Sequence, residues 1–242
     1  NDYKSDFTGD DLLALYAFTG GVAQYVQTFL SSGAFTFEAM LERAIQFNSG
    51  LVSEAQLMIA AEFKGNASIM NYLLMAISQG RTKRADLVTA FNVDISGHLY
   101  KLENLYGLIE AVEPIAENGA KRKRARYELT DELLDFWYTF CLPNIKMLQS
   151  SRTQALQKAI KIGYVPWSGR VLERLYRRHF ANLGLFTSVG PWWDKQGENE
   201  IDLIAINSVT KRIVFAEIKR NEHKIDLHKL ESKIECFFNY NP

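Results

Sequence analysis

Residues 197–220, GENEIDLIAINSVTKRIVFAEIKR, constrain the fold of this chain more than any other segment, because two alternating runs of apolar residues flank a short polar turn. Side chains alternate between the two faces of a strand, so the position of the turn fixes which residues pair. With the turn centred in SVTK, Ile204 lies opposite Phe215 and Ile206 lies opposite Ile213. These apolar pairs predict an antiparallel hairpin in this register.

The same register brings charged residues together among the isoleucines. It places Asp202 opposite Glu217, and Lys219 points to the same side. Like charges that face each other on a sheet are destabilising, and burial makes the repulsion worse. A divalent cation removes the conflict, and Mg²⁺ prefers carboxylate oxygens. One alternative stays open, in which Glu200 and Lys219 form an ordinary cross-strand ion pair and Asp202 is solvated near the sheet edge.

The N-terminal part, residues 10–63, has apolar residues at helical spacing and predicts a small helical bundle. Gly20 and Gly21 interrupt the first helical pattern. Glycines end helices and permit tight turns, so we expect one helix to stop there and the next to begin directly after it.

Residues 68–130 predict three helices followed by two strands. The helices correspond to SIMNYLLMAISQG, RTKRADLVTAF and NVDISGHLYKLENLYG, with Gly80 ending the first and Asp94 as the N-cap of the third. The strands are LIEAVEPIA and ARYELT, and a basic turn, ENGAKRKR, lies between them. This order is typical of a winged helix-turn-helix, in which the third helix enters the major groove and the hairpin loop contacts phosphate.

Positive charge favours DNA as the ligand of this segment, since residues 121–126 contain five basic residues in six. Few nearby side chains can make the bidentate base contacts that carry specificity, so we expect weakly selective, salt-sensitive binding through phosphates. A protein-contact module and a merely solvated loop are the alternatives. The candidate DNA contacts are Arg81, Lys83, Arg84, His98, Lys101, Lys121, Arg122, Lys123, Arg124 and Arg126.

The rest of the chain predicts a packed helix and then an α/β domain. Residues 131–142, DELLDFWYTFCL, have the aromatic spacing of a core helix wedged between two domains, and a helical linker follows. From residue 168 the pattern reads helix, strand, hairpin, helix. A domain of this type needs another strand or two, so we expect it to be incomplete at its C-terminus.

Composition narrows the class of protein only a little. Hydrophobic content is 47%, charged content is 23% and the net charge is zero, which is ordinary for a globular protein. No apolar run approaches the roughly 20 residues of a membrane span, so we expect no membrane partner. Cys141 and Cys236 are isolated and form no CxxC pair, which fits a reducing, cytoplasmic location.

Asp202, followed by the EIK tripeptide that begins at Glu217, resembles the PD-(D/E)XK signature of restriction-endonuclease-like folds. GENEIDLIA resembles the G-x-E-I-D form of one branch, and Glu173 in GRVLERLYRRHF matches an acidic residue on the first helix of many such domains. The resemblance implies either an inactive module or a magnesium- or manganese-dependent nuclease. In the nuclease, Asp202, Glu217 and Glu173 are the metal ligands, and Lys219 orients the nucleophile or stabilises the transition state. From spacing alone, Glu173 also suits a surface ion pair with Arg177.

Three further segments, TGGVAQYV, LENLYGLIEAVEPI and RYELTDELLDFWYTF, are similar to the C-terminal part of the prokaryotic archaeal-type AAA ATPase family, although Ala23 stands where that family has proline. The resemblance covers nearly the whole chain and implies a mixed α and α/β architecture. The implied parts are a helical lid at 1–63, a winged helix-turn-helix with its aromatic helix at 64–142, a helical linker at 143–167 and an incomplete restriction-endonuclease-like α/β domain at 168–242.

The chain has no G-x-x-x-x-G-K-[ST] phosphate loop, so we expect ATP to bind only a full-length protein whose ATPase core precedes Asn1. Two functions remain open. The first is an ATP-dependent DNA-processing protein whose C-terminal portion binds DNA and hydrolyses phosphodiesters. The second is a non-catalytic module that binds partner proteins or sets the oligomeric geometry of the ATPase. Under the first, Asp202→Asn should weaken divalent-cation binding and should stabilise or barely disturb the metal-free fold, because it removes a repulsion.

Overall fold

The computed structural model is a mixed helix and sheet structure in two compact units, with residues 7–46, 67–91, 93–115, 124–150 and 153–241 described. One unit consists of Asn1–Glu110 and Tyr127–Ser168, and the other consists of Ala111–Arg126 and Gly169–Pro242. In these described ranges, no helix has both the length and the apolar character that crossing a membrane requires.

The first unit begins with short helices that the sequence predicted. They are α1 (Gly9–Thr19), α2 (Ala23–Ser31) and α3 (Phe37–Ala44). Thr8 and Asp11 form a reciprocal capping box at the start of α1, which satisfies backbone donors that the helix leaves open. Gly20 ends α1 in the left-handed conformation with φ 60°, so the predicted glycine break is confirmed.

The predicted order of three helices and two strands is confirmed in the next segment. The helices are α4 (Ala67–Ser78), α5 (Arg84–Phe91) and α6 (Ser96–Tyr100), which continues as a π-helical turn, Lys101–Leu105. Strands β1 (Ile109–Val112) and β2 (Arg126–Leu129) pair in a two-stranded sheet. The Tyr127 N–H also donates to the Thr82 carbonyl at 2.8 Å, so the segment between α4 and α5 contacts β2.

The predicted aromatic helix is buried, as expected for a core element. It comprises α7 (Glu132–Phe136) and a π-helical turn, Trp137–Cys141, and the two pack against α1 and α4 respectively. A 3-10 turn (Leu142–Asn144) and α8 (Ile145–Gln149) follow. Burial raises the pKa of the Cys141 thiol to about 12, so this thiol stays protonated and inert.

An aromatic cluster forms the centre of the first unit. Phe18 of α1 is completely buried, and its ring centroid lies 4.9 Å from that of Phe136 and 6.4 Å from that of Trp167. Aromatic rings at these separations add attraction beyond the burial of their area. Gly163 permits close approach in the same core, because a Cβ there would lie 2.8 Å from Cε1 of Phe140.

The predicted linker is helical but is not separate from the helix that follows it. A single helix, α9, runs over Thr153–Asn182 and contains Pro166. The sequence pattern instead divides this stretch at residue 168, with a linker before it and the first helix of the α/β domain after it. The buried side chains of Tyr164 and Trp167 bracket Pro166, and their packing holds this stretch helical despite the missing backbone donor.

The second unit is built on a three-stranded antiparallel sheet in the order β3-β4-β5, formed by Ser188–Trp193, Glu200–Asn207 and Arg212–Ala216. The predicted register is confirmed, since Ile204 pairs with Phe215 and Ile206 pairs with Ile213. The Asn207 carboxamide oxygen accepts the N–H groups of residues 209 and 210, which fixes the polar turn.

Helices cover both faces of this sheet. On one face Ile201 and Ile204 pack with Leu230 and Phe237 of α10 (Leu227–Tyr240), which follows a 3-10 turn at Glu222–Lys224. On the other face Leu203, Ala205 and Ile218 pack with Leu172 and Phe180 of α9. Because β4 is buried on both sides, polar side chains at its end are held in a largely dehydrated position.

Candidate functional site

The open end of the β4–β5 hairpin holds the predicted acidic residues. The strand ladder ends at the Leu203–Ala216 pair, and the chain after Ala216 leaves the sheet. Asp202 is 9% exposed, and its Oδ2 atom accepts the Ile218 N–H at 2.8 Å. This bond ties the chain after β5 back to β4, so the carboxylate of Asp202 has a structural role before any ligand is considered.

Lys219 lies between the two predicted acids. Its Nζ atom is 2.9 Å from Oδ2 of Asp202 and 2.9 Å from Oε1 of Glu217. The hairpin register therefore does bring both carboxylates to one cation, and the chain itself supplies that cation. The repulsion between the two carboxylates is already relieved by this ammonium group, so Asp202→Asn should lower the stability of the metal-free fold and not leave it unchanged.

Lys233 completes the arrangement, which we call the acid–lysine cluster: Asp202, Glu217, Lys219 and Lys233. The Lys233 ammonium donates to Oε2 of Glu217 at 2.9 Å from the next helix, α10. Sequence analysis missed this residue. Its signal was a lysine on the buried stripe of α10, between Leu230 and Phe237, where a solvated lysine would not be expected.

The pKa shifts in the cluster follow from these contacts. Burial opposes ionisation of Glu217, but hydrogen bonds from Lys219 and Lys233 outweigh it and lower the pKa of this carboxyl. Burial likewise disfavours the charged form of Lys219, but its hydrogen bonds to Asp202 and Glu217 raise the pKa of the ammonium group. Glu217 and Lys219 are therefore both charged at neutral pH.

Glu173 of α9 is the third predicted acid. Burial, and then the negative charge of Asp202, raise its pKa to about 7, while Arg177 and Lys219 act in the opposite direction. The charges of Asp202 and of Arg177, one helical turn away, thus act on the Glu173 carboxyl in opposite directions.

Replacing Glu173 with glutamine should stabilise the protein at alkaline pH. A raised pKa favours the neutral acid in the folded state, so its stabilising effect is complete below pH 4.5 and is lost as pH rises through about 7. Allowing for partial exposure, Glu173→Gln should gain about 1–2 kcal/mol at pH 8 and much less at pH 5. Urea unfolding at both pH values measures this, with the exposed Glu235→Gln as the matched control. A gain of the same size at both pH values would contradict the raised pKa.

The cluster's donor chemistry suits a divalent cation in part. Mg²⁺ binds through one or two carboxylates and keeps several waters, and Asp202 and Glu217 already flank one cation position. Within the part of the chain that the structure describes, no group of three or more His, Cys, Asp or Glu side chains is arranged to hold a metal ion. A metal at this position would therefore have to replace the ammonium group of Lys219.

The alternative ion pair between Glu200 and Lys219 is wrong. Oε1 of Glu200 instead accepts the Arg126 Nη1 donor at 2.7 Å, and the Arg126 guanidinium lies 4.1 Å from the centroid of the Trp193 ring. Arg126 is on β2 and Trp193 is on β3, so this contact depends on a sequence separation that strand patterns do not reveal. A cation stacked on an indole and paired with a carboxylate is held in place.

The predicted DNA contacts fall into three groups. Arg81, Lys83, Arg84 and Lys101 are exposed, although Arg84 donates to Oγ of Ser96 at 2.6 Å. His98 is half-buried, and Arg124 and Arg126 contact the second unit's own atoms, Arg124 donating to the Trp193 carbonyl at 3.4 Å. The remaining predicted contacts, Lys121, Arg122 and Lys123, lie outside the described residues.

Comparison with known proteins gives one family match and one relative. Residues 137–231 match DUF234, described as "Archaea bacterial proteins of unknown function", and this range contains three of the four cluster residues. The "Uncharacterized protein MJECL04" of Methanocaldococcus jannaschii is 27% identical over 225 residues, which is 89% of this chain and 49% of that protein. The chain thus spans about half the length of this relative. No solved structure matches the chain.

Proposed function

We propose that this chain is the C-terminal portion of an ATP-dependent DNA-processing protein that hydrolyses phosphodiesters with Mg²⁺ at the acid–lysine cluster. The observation that carries this proposal is the convergence of Asp202 and Glu217 on one cation position. Two carboxylates that converge on one cation position, which the ammonium group of Lys219 fills in this structure, are side chains that metal-assisted hydrolysis of an anionic ester could use. The resemblance to PD-(D/E)XK nucleases and to archaeal-type ATPases supports the same reaction class.

Each acidic or basic residue at the site has a separate proposed role in hydrolysis. Asp202 and Glu217 would hold the metal, and Glu173, whose pKa is raised in part by the charge of Asp202, is the third acid that the resemblance implies. Bound Mg²⁺ would supply an activated water and neutralise the charge that develops on the phosphate. Lys219, if released from between the two carboxylates, would orient the nucleophile or stabilise the negative charge of the transition state.

DNA binding is proposed for the segment from α4 to β2. The order of three helices and two paired strands, with the contact of Thr82 with Tyr127, supports the proposal of a winged helix. The exposed Arg81, Lys83 and Lys101 are proposed to contact phosphate. We omit Arg126 from these contacts, because its guanidinium is already paired with Glu200.

Cleavage of a labelled duplex in Mn²⁺ or Mg²⁺ tests this function. We expect salt-sensitive binding in EDTA and slow cleavage when metal is added, because phosphate contacts dominate affinity. Asp202→Asn should reduce cleavage about 100-fold or more, since it removes a charged metal ligand, whereas the exposed Glu235→Gln should cleave like the wild type. The assay is run well below the unfolding temperature of each variant. Absence of both cleavage and Mn²⁺ binding in the wild type would contradict the nuclease function.

A non-catalytic module is the second candidate, and one observation favours it. Lys219 and Lys233 already neutralise the acids, so the cluster is satisfied without a metal ion. A module of this kind would bind partner proteins or set the oligomeric geometry of the ATPase. In the cleavage assay it would bind DNA weakly or not at all, and Asp202→Asn would change stability but no activity.

A further inference from the structure

The two lysines of the cluster hold different oxygens of the same carboxylate. Lys219 contacts Oε1 of Glu217, and Lys233 contacts Oε2. Lys219 also contacts Asp202, so its ammonium group occupies the position that both acids share. Lys233 approaches from the other side of Glu217. One ammonium group therefore blocks the shared position, and the other leaves that position open.

The two lysines also differ in how firmly they are held. The side chain of Lys219 is 31% exposed and follows the end of β5, whereas that of Lys233 is 12% exposed. Lys233 lies in the middle of α10, between Leu230 and Phe237, which are buried against the sheet. The packing of α10 thus fixes Lys233, while Lys219 has solvent on one side into which its ammonium group can withdraw.

We propose that Lys233 is a positioning residue that holds Oε2 of Glu217, so that Oε1 faces Asp202 and the two acids bind one divalent cation. Lys219 is the internal competitor for the same position. This role of Lys233 rests on the proposed function, because it concerns the metal that the nuclease reaction requires. It adds to that function a residue outside the D…ExK pattern. It also gives the two lysines different roles, since Lys233 orients Glu217 and Lys219 competes with the metal.

The two lysines should therefore affect metal binding in opposite directions. Removing Lys219 leaves two facing carboxylates without their cation, which should tighten Mn²⁺ binding. Removing Lys233 frees Oε2 and the whole Glu217 side chain, and loss of a residue that orients a metal ligand typically costs 10–100-fold in affinity. If the lysines only formed structural salt bridges, removing either one would loosen the same end of the hairpin. Both variants would then change the affinity for Mn²⁺ in the same direction.

Mn²⁺ binding to the whole chain, measured by isothermal titration calorimetry and by electron paramagnetic resonance of free Mn²⁺, tests this division. The variants are Lys219→Met, Lys233→Met and Lys233→Arg, each checked by circular dichroism. We expect binding about 10-fold tighter for Lys219→Met, about 10-fold weaker for Lys233→Met and near wild type for Lys233→Arg, which restores the charge. If Lys233→Met does not fold, Lys233→Gln and Lys233→Arg provide the same comparison.

The outcomes separate the role of Lys233 from the proposed function. If Lys233→Met binds Mn²⁺ as tightly as the wild type, the positioning role is overturned. The same holds if both methionine variants bind Mn²⁺ equally weakly. In either case the nuclease function stands. Failure of the wild type and of Lys219→Met to bind millimolar Mn²⁺ would overturn the metal site itself, and the role of Lys233 with it. Tighter Mn²⁺ binding by Lys219→Met, weaker binding by Lys233→Met and near-normal binding by Lys233→Arg would support both the metal site and the positioning role of Lys233.

Discussion

Replacing Asp202 with alanine is expected to lower the free energy of unfolding by about 3 kcal/mol. The carboxylate accepts both the Ile218 N–H and the ammonium group of Lys219, and it is almost fully buried. Its removal leaves the buried Ile218 N–H without its acceptor and takes from Lys219 one of its two acidic partners, Glu217 being the other. Breaking a buried ion pair from one side is costly for this reason, even where the intact pair adds little.

Urea unfolding at pH 7, followed by circular dichroism, measures this loss. Asp202→Asn should lose less, about 1–2 kcal/mol, since its carboxamide oxygen still accepts the Ile218 N–H. Glu235→Ala on the exposed side of α10 is the matched control and should change stability by less than about 0.5 kcal/mol. A variant Asp202→Ala as stable as the wild type would contradict the stabilising role of Asp202, because Glu217 and solvent would then be sufficient partners for Lys219.

Replacing Phe18 with alanine is expected to cost about 4 kcal/mol, because it removes a completely buried ring from the centre of the first unit. Phe18 lies near Phe136 and Trp167, and the rings of Phe29 and Phe37 lie within 6.3 Å of it, centroid to centroid. Large rings around the resulting cavity cannot collapse into it without leaving their rotamers.

The same urea experiment measures the effect of Phe18→Ala, with Tyr72→Ala as the control in the first unit. Tyr72 is 58% exposed, so its truncation should cost less than about 1 kcal/mol. A similar loss for both variants would show that the aromatic cluster does not form the core of this unit.

Local patterns predicted the hairpin well, because alternation and turn position together determine strand register. Ile204 and Phe215 pair as expected, and the acids of the hairpin do converge on one cation. The identity of that cation was not predictable from alternation. A lysine two residues after Glu217 has a long, flexible side chain, and whether it reaches the acids or solvent depends on where the chain turns after β5.

Contacts between distant segments were beyond sequence reasoning for a simple physical reason. Lys233 reaches Glu217 because α10 packs on the sheet, and Arg126 reaches Glu200 across 74 positions of sequence. Neither pairing leaves a periodic signal in its own segment. Helix α9 shows the converse, since Pro166 and its neighbours favour a local break and the buried aromatic residues on either side override it.

The close approach of Gly163 to Phe140 links two positions that are far apart in sequence. A methyl group on residue 163 would overlap the edge of the Phe140 ring, so a larger residue at 163 requires the ring or the helix to shift. Alanine at 163 should therefore be better tolerated when residue 140 is smaller, for example leucine. In related sequences, a larger residue at position 163 is therefore expected to occur together with a smaller residue at position 140.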